Sequence, residues 1–539
     1  MNPSQLLAHF DRMADAPDAI PRLRRFVLDL AVRGKLVEQD PKDEPAAVLL
    51  KKIEAEKVRR AGEGKLRGDT TVAPLAAGAG MFPIPPSWLW VSFGRLVISR
   101  DGERVPVSQE ERKGRAKVYD YYGASGVIDK IDSFLFDKPL LLIGEDGANL
   151  INRSTPIAFI ARGRYWVNNH AHVLDGISED FLRYIELYIN AIDLKPYVTG
   201  TAQPKMNQAK MNSIPVAVPP LAEQKRIVAK VDELMALCDR LEAAQTEREA
   251  RRDLLVSASL QRLNQPAEDA AAFRDHACFA LDNLPRLATR PEHVTQLRQT
   301  ILNLAVRGKL VPQDPKDEPA SVLLGSRALT TAPESGFPLP TGWAWSTLAD
   351  IGETLGGGTP DKGNAAFWEG SIPWVSPKDM KVNVVEDATD HISEAAIENS
   401  SAKLIPPGSL LMVVRGMILA HSFPTALSRV PLAINQDMKA VRPFRADLLP
   451  MLHLLTKGLK PEILRLVQRS THGTCKLLTD DLFGVPLPIP PLAEQGRIVA
   501  KVEELMGICD KLEAQLATAQ TESRRLLKAV LHEALRPAV

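Results

Sequence analysis

The chain has 539 residues, 45% of them hydrophobic, which is enough apolar content for several ordinary globular cores and argues against disorder. Its 67 basic and 66 acidic side chains leave a net charge of +1, so it lacks the basic excess of a protein that grips nucleic acid unaided. No apolar run approaches the roughly 18 residues of a membrane span, the start MNPSQLLAHFDRM does not read as a secretory signal, and Cys238, Cys278, Cys475 and Cys509 form no C-x-x-C pair, so the expectation is a cytoplasmic protein without membrane, zinc or disulfides.

In chain order, residues 1–81 are predicted to be helical. LRRFVLDLAVRG reads as a short amphipathic helix that Gly34 ends at the C′ position before the turn QDPKDEPA, and AAVLLKKIEAEKVRR continues as a charged helix. The stretch GDTTVAPLAAGAG then leads to FPIPPSWLW at Phe82, where a module over 82–219 begins. Its interior mixes short strands such as KVYDYYGASGVI, a buried strand PLLLIG, and a helix DFLRYIELYI.

From Pro219 the block PPLAEQKRIVAKVDELMALCDRLEA carries apolar residues at Ile227, Val231, Leu234, Cys238 and Leu241, the spacing of a heptad seam. The helix can run from Leu221 to about Leu263, on the order of 60 Å. Within the central region 220–336, the stretch from Asn264 to about Pro291 is expected to be an irregular linker with a short helix. LAVRGKLVEQDPKDEPAAVLL (Leu30–Leu50) then returns as LAVRGKLVPQDPKDEPASVLL (Leu304–Leu324), with Gly308 in the place of Gly34. FPLPTGWAW at Phe337 opens a second module, 337–490, with a buried strand in SLLMVV. In the last region, 491–539, the heptad block returns as PPLAEQGRIVAKVEELMGICDKLEA from Pro490, with Ile498, Val502, Leu505, Cys509, Leu512 and Leu516 on its seam. The chain is thus written twice, with matched frames and interiors that barely agree in sequence. The fold class expected is mixed α/β or α+β, two modules on long helical supports.

Catalytic signatures are missing: there is no phosphate loop of G-x-x-x-x-G-K-[ST] form, no H-E-x-x-H, no dinucleotide fingerprint and no N-P-P-[FY] or D-P-P-[YF] tetrapeptide. His170 and His172, two apart in WVNNHAHV on an expected strand, lack a third metal ligand. GEDGAN (Gly144–Asn149) reads as a β-turn and Gly356–Gly358 as a flexible loop near a ligand. Cys238 and Cys509 occupy one position of the repeated helix and are expected to be inert core residues.

The repeated LAVRGKLV-QDP-DEPA block, the repeated PPLAEQ-RIV-KV-EL helix and the modules opened by a P--W-W element resemble the specificity subunit of type I restriction-modification systems, over essentially the whole chain. The resemblance implies two target recognition domains joined by long antiparallel coiled-coil helices in a pseudo-two-fold arrangement, each reading half of a bipartite site in double-stranded DNA. It also implies no catalysis and no cofactor in this chain. Two modification subunits would carry S-adenosylmethionine and methylate adenine, and restriction subunits would carry ATP and Mg. A fused restriction-methylation enzyme, or a coiled-coil scaffold with no DNA role, is the competing reading.

For the first module, resemblance and chemistry point to GTAQPKMN, where Gln203 and Asn207 suit adenine edges and Lys205 suits guanine or phosphate. Ser125 and Lys130 lie in a second loop, and Asn168, Asn169 and His170 in a third. In the second module THGTCKLL is the corresponding loop, with His472, Thr474 and Lys476. Thr359 and Lys362, Ser376 and Lys378, Arg415, and Asn435 with Gln436 complete the candidates. Any of these could instead belong to a solvated turn, and Arg415 could pair with a buried acid.

Overall fold

The structure, a computed structural model, describes residues 16, 18–62, 75, 80–200, 203–265, 270–331, 333, 337–469 and 473–535. It divides into two compact units, one running to Glu247 and taking in the chain from Gln520, the other spanning Arg248–Ala519. None of the described helices is long and apolar enough to cross a membrane.

In the first unit, helix α1 (Ala19–Val32) buries Val27, Ala31 and Val32, and helix α2 (Ala46–Gly62) follows the QDPKDEP turn. The module's strands are β1 (Leu89–Ser92), β2 (Ile98–Ser99), β3 (Tyr119–Gly123), β4 (Gly126–Ile131), β5 (Leu140–Gly144), β6 (Ala158–Ala161), β7 (Tyr165–Val167), β8 (Ala171–Asp175) and β9 (Pro215–Val218), with helix α3 (Glu179–Ala191) between β8 and β9. They form a four-stranded sheet in the order β2-β8-β5-β6 and a three-stranded sheet β4-β3-β7, while β1 pairs antiparallel with β9. Strand β5 is the apolar run LLLIG, buried at every residue because it is central in its sheet and covered by α3. Helix α4 (Leu221–Asn264) follows β9 directly. The first residues of its heptad seam, Ile227, Val231 and Leu234, pack with Val27 and Ala31 of α1 into the module's own core.

In the second unit, the stretch expected to be an irregular linker contains helix α5 (Ala270–Leu287). Phe273, Ala277, Ala280 and Leu287 lie on one face and pack with Val256, Leu260 and Leu263 of α4 and with Leu304. That four-three-seven spacing is helical, and tertiary packing outweighs the polar residues between. Helix α6 (Pro291–Val306) and the short α7 (Ala320–Leu324) repeat α1 and the start of α2.

The second module has β10 (Ala344–Thr347), β11 (Gly352–Gly356), β12 (Ile372–Val375), β13 (Val384–Val385), β14 (Asp390–Ile392), β15 (Leu404–Ile405), β16 (Leu410–Val413), β17 (Thr425–Ser428), β18 (Leu432–Ile434), β19 (Met438–Pro443), helix α8 (Leu449–Gly458), β20 (Gln468–Arg469), β21 (Cys475–Lys476) and β22 (Pro486–Ile489). Its sheets are β11-β19-β16-β17-β13 and β14-β12-β18-β15, with β10 paired to β22. Removing edge strands β13 and β15 leaves the strand order of the first module, so the two interiors share a topology that their sequences do not reveal. Helix α9 (Leu492–Leu535) closes the described chain.

The repeated blocks, far apart in sequence, bond to each other within each half. In the first, Glu223 at the start of α4 accepts from the Trp88 indole at 3.0 Å and from the Gln39 amide at 2.6 Å, and Arg226 pairs with Asp43 at 2.6 Å. In the second, Glu494 accepts from Trp343 at 3.0 Å and Gln313 at 3.1 Å, and Arg497 pairs with Asp317 at 2.6 Å. Burial pushes both glutamate carboxyls above the usual range, against the two hydrogen bonds that pull them down. Arg33 stacks on Phe82 and Arg307 on Phe337. Gly34 and Gly308 adopt φ of +67° and +64°, and a Cβ at either would lie 2.5 or 2.4 Å from Pro85 or Pro340. Only glycine lets this turn close under the proline. Cys238 and Cys509 are buried further along the long helices, near Arg24 and Arg298, and burial raises both thiols.

Candidate nucleic-acid interface

In the first module, four loops converge at the end of β5. The backbone of Asp146 bridges to that of Lys205, Gly147 N donates to Pro204 O at 2.9 Å, and Met206 N donates to Glu145 O at 2.8 Å, so the loop 203–207 is sewn to the loop 145–148. Glu145 N donates to His170 O at 2.8 Å, and His170 N to the Asn168 side chain at 2.8 Å, which brings in the 168–170 turn. The Ala124–Ser125 turn packs on Gly144, where a Cβ would meet Ala124 O at 2.6 Å.

The side chains make a charged network. Glu145 pairs with Arg104 at 2.8 Å and Lys205 at 3.2 Å, and His170 with Asp146 at 2.8 Å. Burial would raise the Glu145 carboxyl, but Arg104, His172 and Lys205 together hold it below the usual range. His172 is buried, with Nδ1 2.6 Å from Asp101 and Nε2 2.9 Å from the Met206 carbonyl. A carbonyl only accepts, so Nε2 carries a proton, and the carboxylate favours a second one on Nδ1. Burial alone would lower this imidazole, yet Asp101, Met206 and Glu145 raise it. His172 therefore fixes loop 203–207 rather than binding a metal, and no group of three metal-ligating side chains occurs among the described residues.

The second module builds the same crossing with the same backbone bonds. Arg415 bridges to Lys476, Gly416 N donates to Cys475 O at 3.0 Å, Leu477 N to Val414 O at 2.9 Å, and Val414 N to Asp437 O at 2.8 Å. Asp437 N donates to the Asn435 side chain at 3.1 Å. Register makes Gly144 equivalent to Val413 and Ala171 to Met438, each pair closing its central ladder. Asp146 thus corresponds to Arg415, His170 to Asp437, Asn168 to Asn435, and Lys205 to Lys476.

Against the sequence candidates, Ser125, Asn169, His170, Gln203 and Lys205 are exposed at the first crossing, and Arg415, Gln436, Thr474 and Lys476 at the second. Asn168 and Asn435 are also there but buried, their side chains spent on the turn, and Ser376 is buried with its hydroxyl on Asp379 at 2.9 Å. Asn207 caps the short helix 208–212, accepting from Lys210 N at 2.9 Å. Thr359 bonds to Gln436 across the second crossing, and Lys362 lies exposed on the same loop. Lys130 faces Asp120 at 3.5 Å at the far end of the β3–β4 hairpin, and Lys378 pairs with Asp390 at 2.8 Å on a sheet edge, both away from the crossings. His472 lies outside the described residues.

Two expectations change. Gly357 and Gly358 are not a flexible loop: a Cβ on either would fall 2.1 to 2.2 Å from the carbonyls of Asn435 and Ser401, so the backbone is packed there. His170 lies in a turn, not on a strand beside His172. Sequence reading missed Asp101, Arg104, Glu145, Asp146 and Asp437. One signal was present: GEDG and VRGM each follow the most apolar strand of their module.

More than half of the chain, residues 98–250 and 340–519, matches the family described as type I restriction modification DNA specificity domain. Similar proteins include the type I restriction enzyme EcoAI specificity subunit of Escherichia coli, 27% identical over 96% of this chain and 94% of that one. The EcoR124I/EcoR124II specificity subunit of Escherichia coli is 43% identical over 29% of this chain and 39% of that one. Among solved structures, the HsdS subunit from Thermoanaerobacter tengcongensis matches with a TM-score of 0.42 at 19% identity, covering 85% of this chain and 99% of that one. With two modules of mixed strand and helix, each covered by the family match, the chain belongs to the type I restriction-modification DNA specificity subunits.

Proposed function

We propose that each module of this specificity subunit reads one half of an asymmetric bipartite site in double-stranded DNA, with 82–219 and 337–490 as readers and 1–81, 220–336 and 491–539 as their frame. The observation that carries this reading is the loop crossing, built twice by one set of backbone bonds and dressed with different polar side chains. A fixed backbone with variable donors and acceptors suits base-edge readout.

The long helices would hold the readers apart and set the unread spacer between the half-sites. At 1.5 Å per residue each spans roughly 65 Å, ample for half-sites about one duplex turn, ~34–36 Å, apart. The two joints around Glu223 and Glu494 repeat one set of residues, and so one local geometry, in both halves, which suits docking of two identical modification subunits. Those subunits would supply S-adenosylmethionine and adenine methylation, and restriction subunits ATP- and Mg-dependent cleavage, in the cytoplasm. With partners sharing the phosphate contacts, a net charge of +1 is sufficient here.

Co-expression with the modification subunit in a host free of other methylases, followed by methylome sequencing, tests the reading. A single split motif methylated only when both subunits are present is expected. Methylation by this chain alone, or a motif without two separated halves, overturns it. Adding whole turns to α4 and α9 is expected to change the unread spacer and leave the bases read unchanged.

A further inference from the structure

The two crossings share their backbone bonds and two side chains: asparagine holds the turn at 168 and 435, and lysine stands at both exposed equivalent positions, 205 and 476. They differ at the pair beside it. Asp146 faces His170 at 2.8 Å in the first module, and at the equivalent positions Arg415 faces Asp437 at 3.9 Å in the second. The polarity is reversed, with the acid on the loop after the central strand in one module and on the turn before β19 in the other.

Neither pair is explained by stability. The loops are already held by main-chain bonds, and the four side chains remain 52%, 31%, 49% and 29% exposed for His170, Asp146, Arg415 and Asp437. Contacts this open to water, a hydrogen bond in the first module and an ion pair in the second, contribute little. A carboxylate at a surface that meets phosphates is also unfavourable unless a donor on the DNA compensates it. Among base edges the exocyclic amine of cytosine is such a donor, and the O6 and N7 of guanine are the matching acceptors for a guanidinium.

Resting on the reading that these loops face DNA, we propose that Asp146 and Arg415 are the specificity-determining residues at equivalent positions of the two half-sites. Asp146 accepts from a cytosine amine and Arg415 donates to a guanine, with His170 and Asp437 holding each side chain in place until DNA arrives. The shared Lys205 and Lys476 contact phosphate and carry no sequence information.

The test uses the complete complex with its modification subunits and competition binding to duplexes changed one base pair at a time across the methylome-defined site. Arg415→Gln is expected to lower discrimination by on the order of ten- to a hundredfold at one G·C pair of one half-site. Asp146→Asn is expected to do the same at one C·G pair of the other half, each leaving the opposite half untouched. Lys205→Ala and Lys476→Ala are expected to weaken all duplexes alike and to flatten the salt dependence. Full retention of discrimination in the Arg415 and Asp146 variants, or a uniform loss across all positions, overturns the proposal while the lysine effect upholds the broader reading. If the lysine variants also leave binding unchanged, the broader reading fails with it. The reciprocal exchange Asp146→Arg with His170→Asp is the second variant: preference at that position moves from cytosine to guanine, and no change of preference counts against the assignment.

Discussion

The joints and the crossings are both built twice, but they are repeated in different ways. At the joints around Glu223 and Glu494 every participant recurs, side chain for side chain: tryptophan, glutamine, glutamate, arginine, aspartate and the left-handed glycine. At the crossings the main-chain bonds recur and most side chains do not. A joint whose bonds run through side chains constrains the sequence, whereas a crossing whose bonds run through the backbone leaves the side chains free to differ. The molecule separates a part that must be the same in both halves from a part that need not be.

The largest test of that contrast is Gly34→Ala against Gly308→Ala. Each asks an L residue to hold positive φ with its Cβ inside a proline ring, and each is expected to cost about 2–4 kcal/mol of unfolding free energy. Denaturant titration followed by hydrogen exchange in each half checks it. A cost confined to one half would break the equivalence of the joints.

The modules are expected to respond oppositely to pH. His453 on α8 is buried, and burial, helped by Lys457, pushes it down to about 4. The unfolded chain then binds more protons between roughly pH 4 and 6.5, so the second module loses stability as pH falls through that window, by about 3 kcal/mol at most. His172 in the first module is raised, so its contribution is present below the unfolded value near 6.5 and is lost as pH rises through the folded one. Hydrogen exchange measured by module against pH is expected to give slopes of opposite sign from these two groups, and replacing each histidine by asparagine is expected to remove its own slope only.

How far this was legible in the sequence follows the same division. The joints announced themselves as exact repeats, and Gly34, the QDPKDEP turn and the start of the long helix were readable from capping and turn chemistry. That the two repeated blocks bond to one another was not, because Gln39 and Glu223 are brought together only by the module folded between them. The common topology of the modules was hidden for a related reason. A buried strand such as LLLIG or LLMV specifies only apolarity, so two sequences can share a sheet order and little else. Asp146 and Asp437 were missed because a turn residue carries no periodic signal, and helix α5, expected only as a short helix in an irregular linker, is longer than its sequence suggests because its apolar face is interrupted by charges.

A smaller effect is expected from Glu223→Gln and Glu494→Gln. The amide keeps an acceptor for the tryptophan N–H but sets its own NH₂ against that of Gln39 or Gln313, a mismatch of about 1 kcal/mol. Because burial raises both carboxyls, the glutamate joints weaken as pH rises through the folded value, and the glutamine variants are expected to lose that dependence. Matching costs in the two halves would sharpen the identity of the joints.

The smallest effect belongs to the arginines that tie the short repeat helix to the long one. Arg24 reaches Asp239 at 2.6 Å and Glu242 at 2.7 Å, and Arg298 reaches Asp510 at 2.7 Å and Glu513 at 2.8 Å. The carboxylates are at least half exposed, so each triad gains modest Coulomb energy and is screened by salt. Alanine at either arginine is expected to cost about 0.5–1 kcal/mol, less at high salt. The geometry recurs although the free energy is small, so what is repeated here is position more than stability. If double-mutant cycles return equal small couplings in both halves, the arginines align the helices; a coupling above about 2 kcal/mol in one half alone would mean that exposed pairs, like the crossings, have been tuned separately.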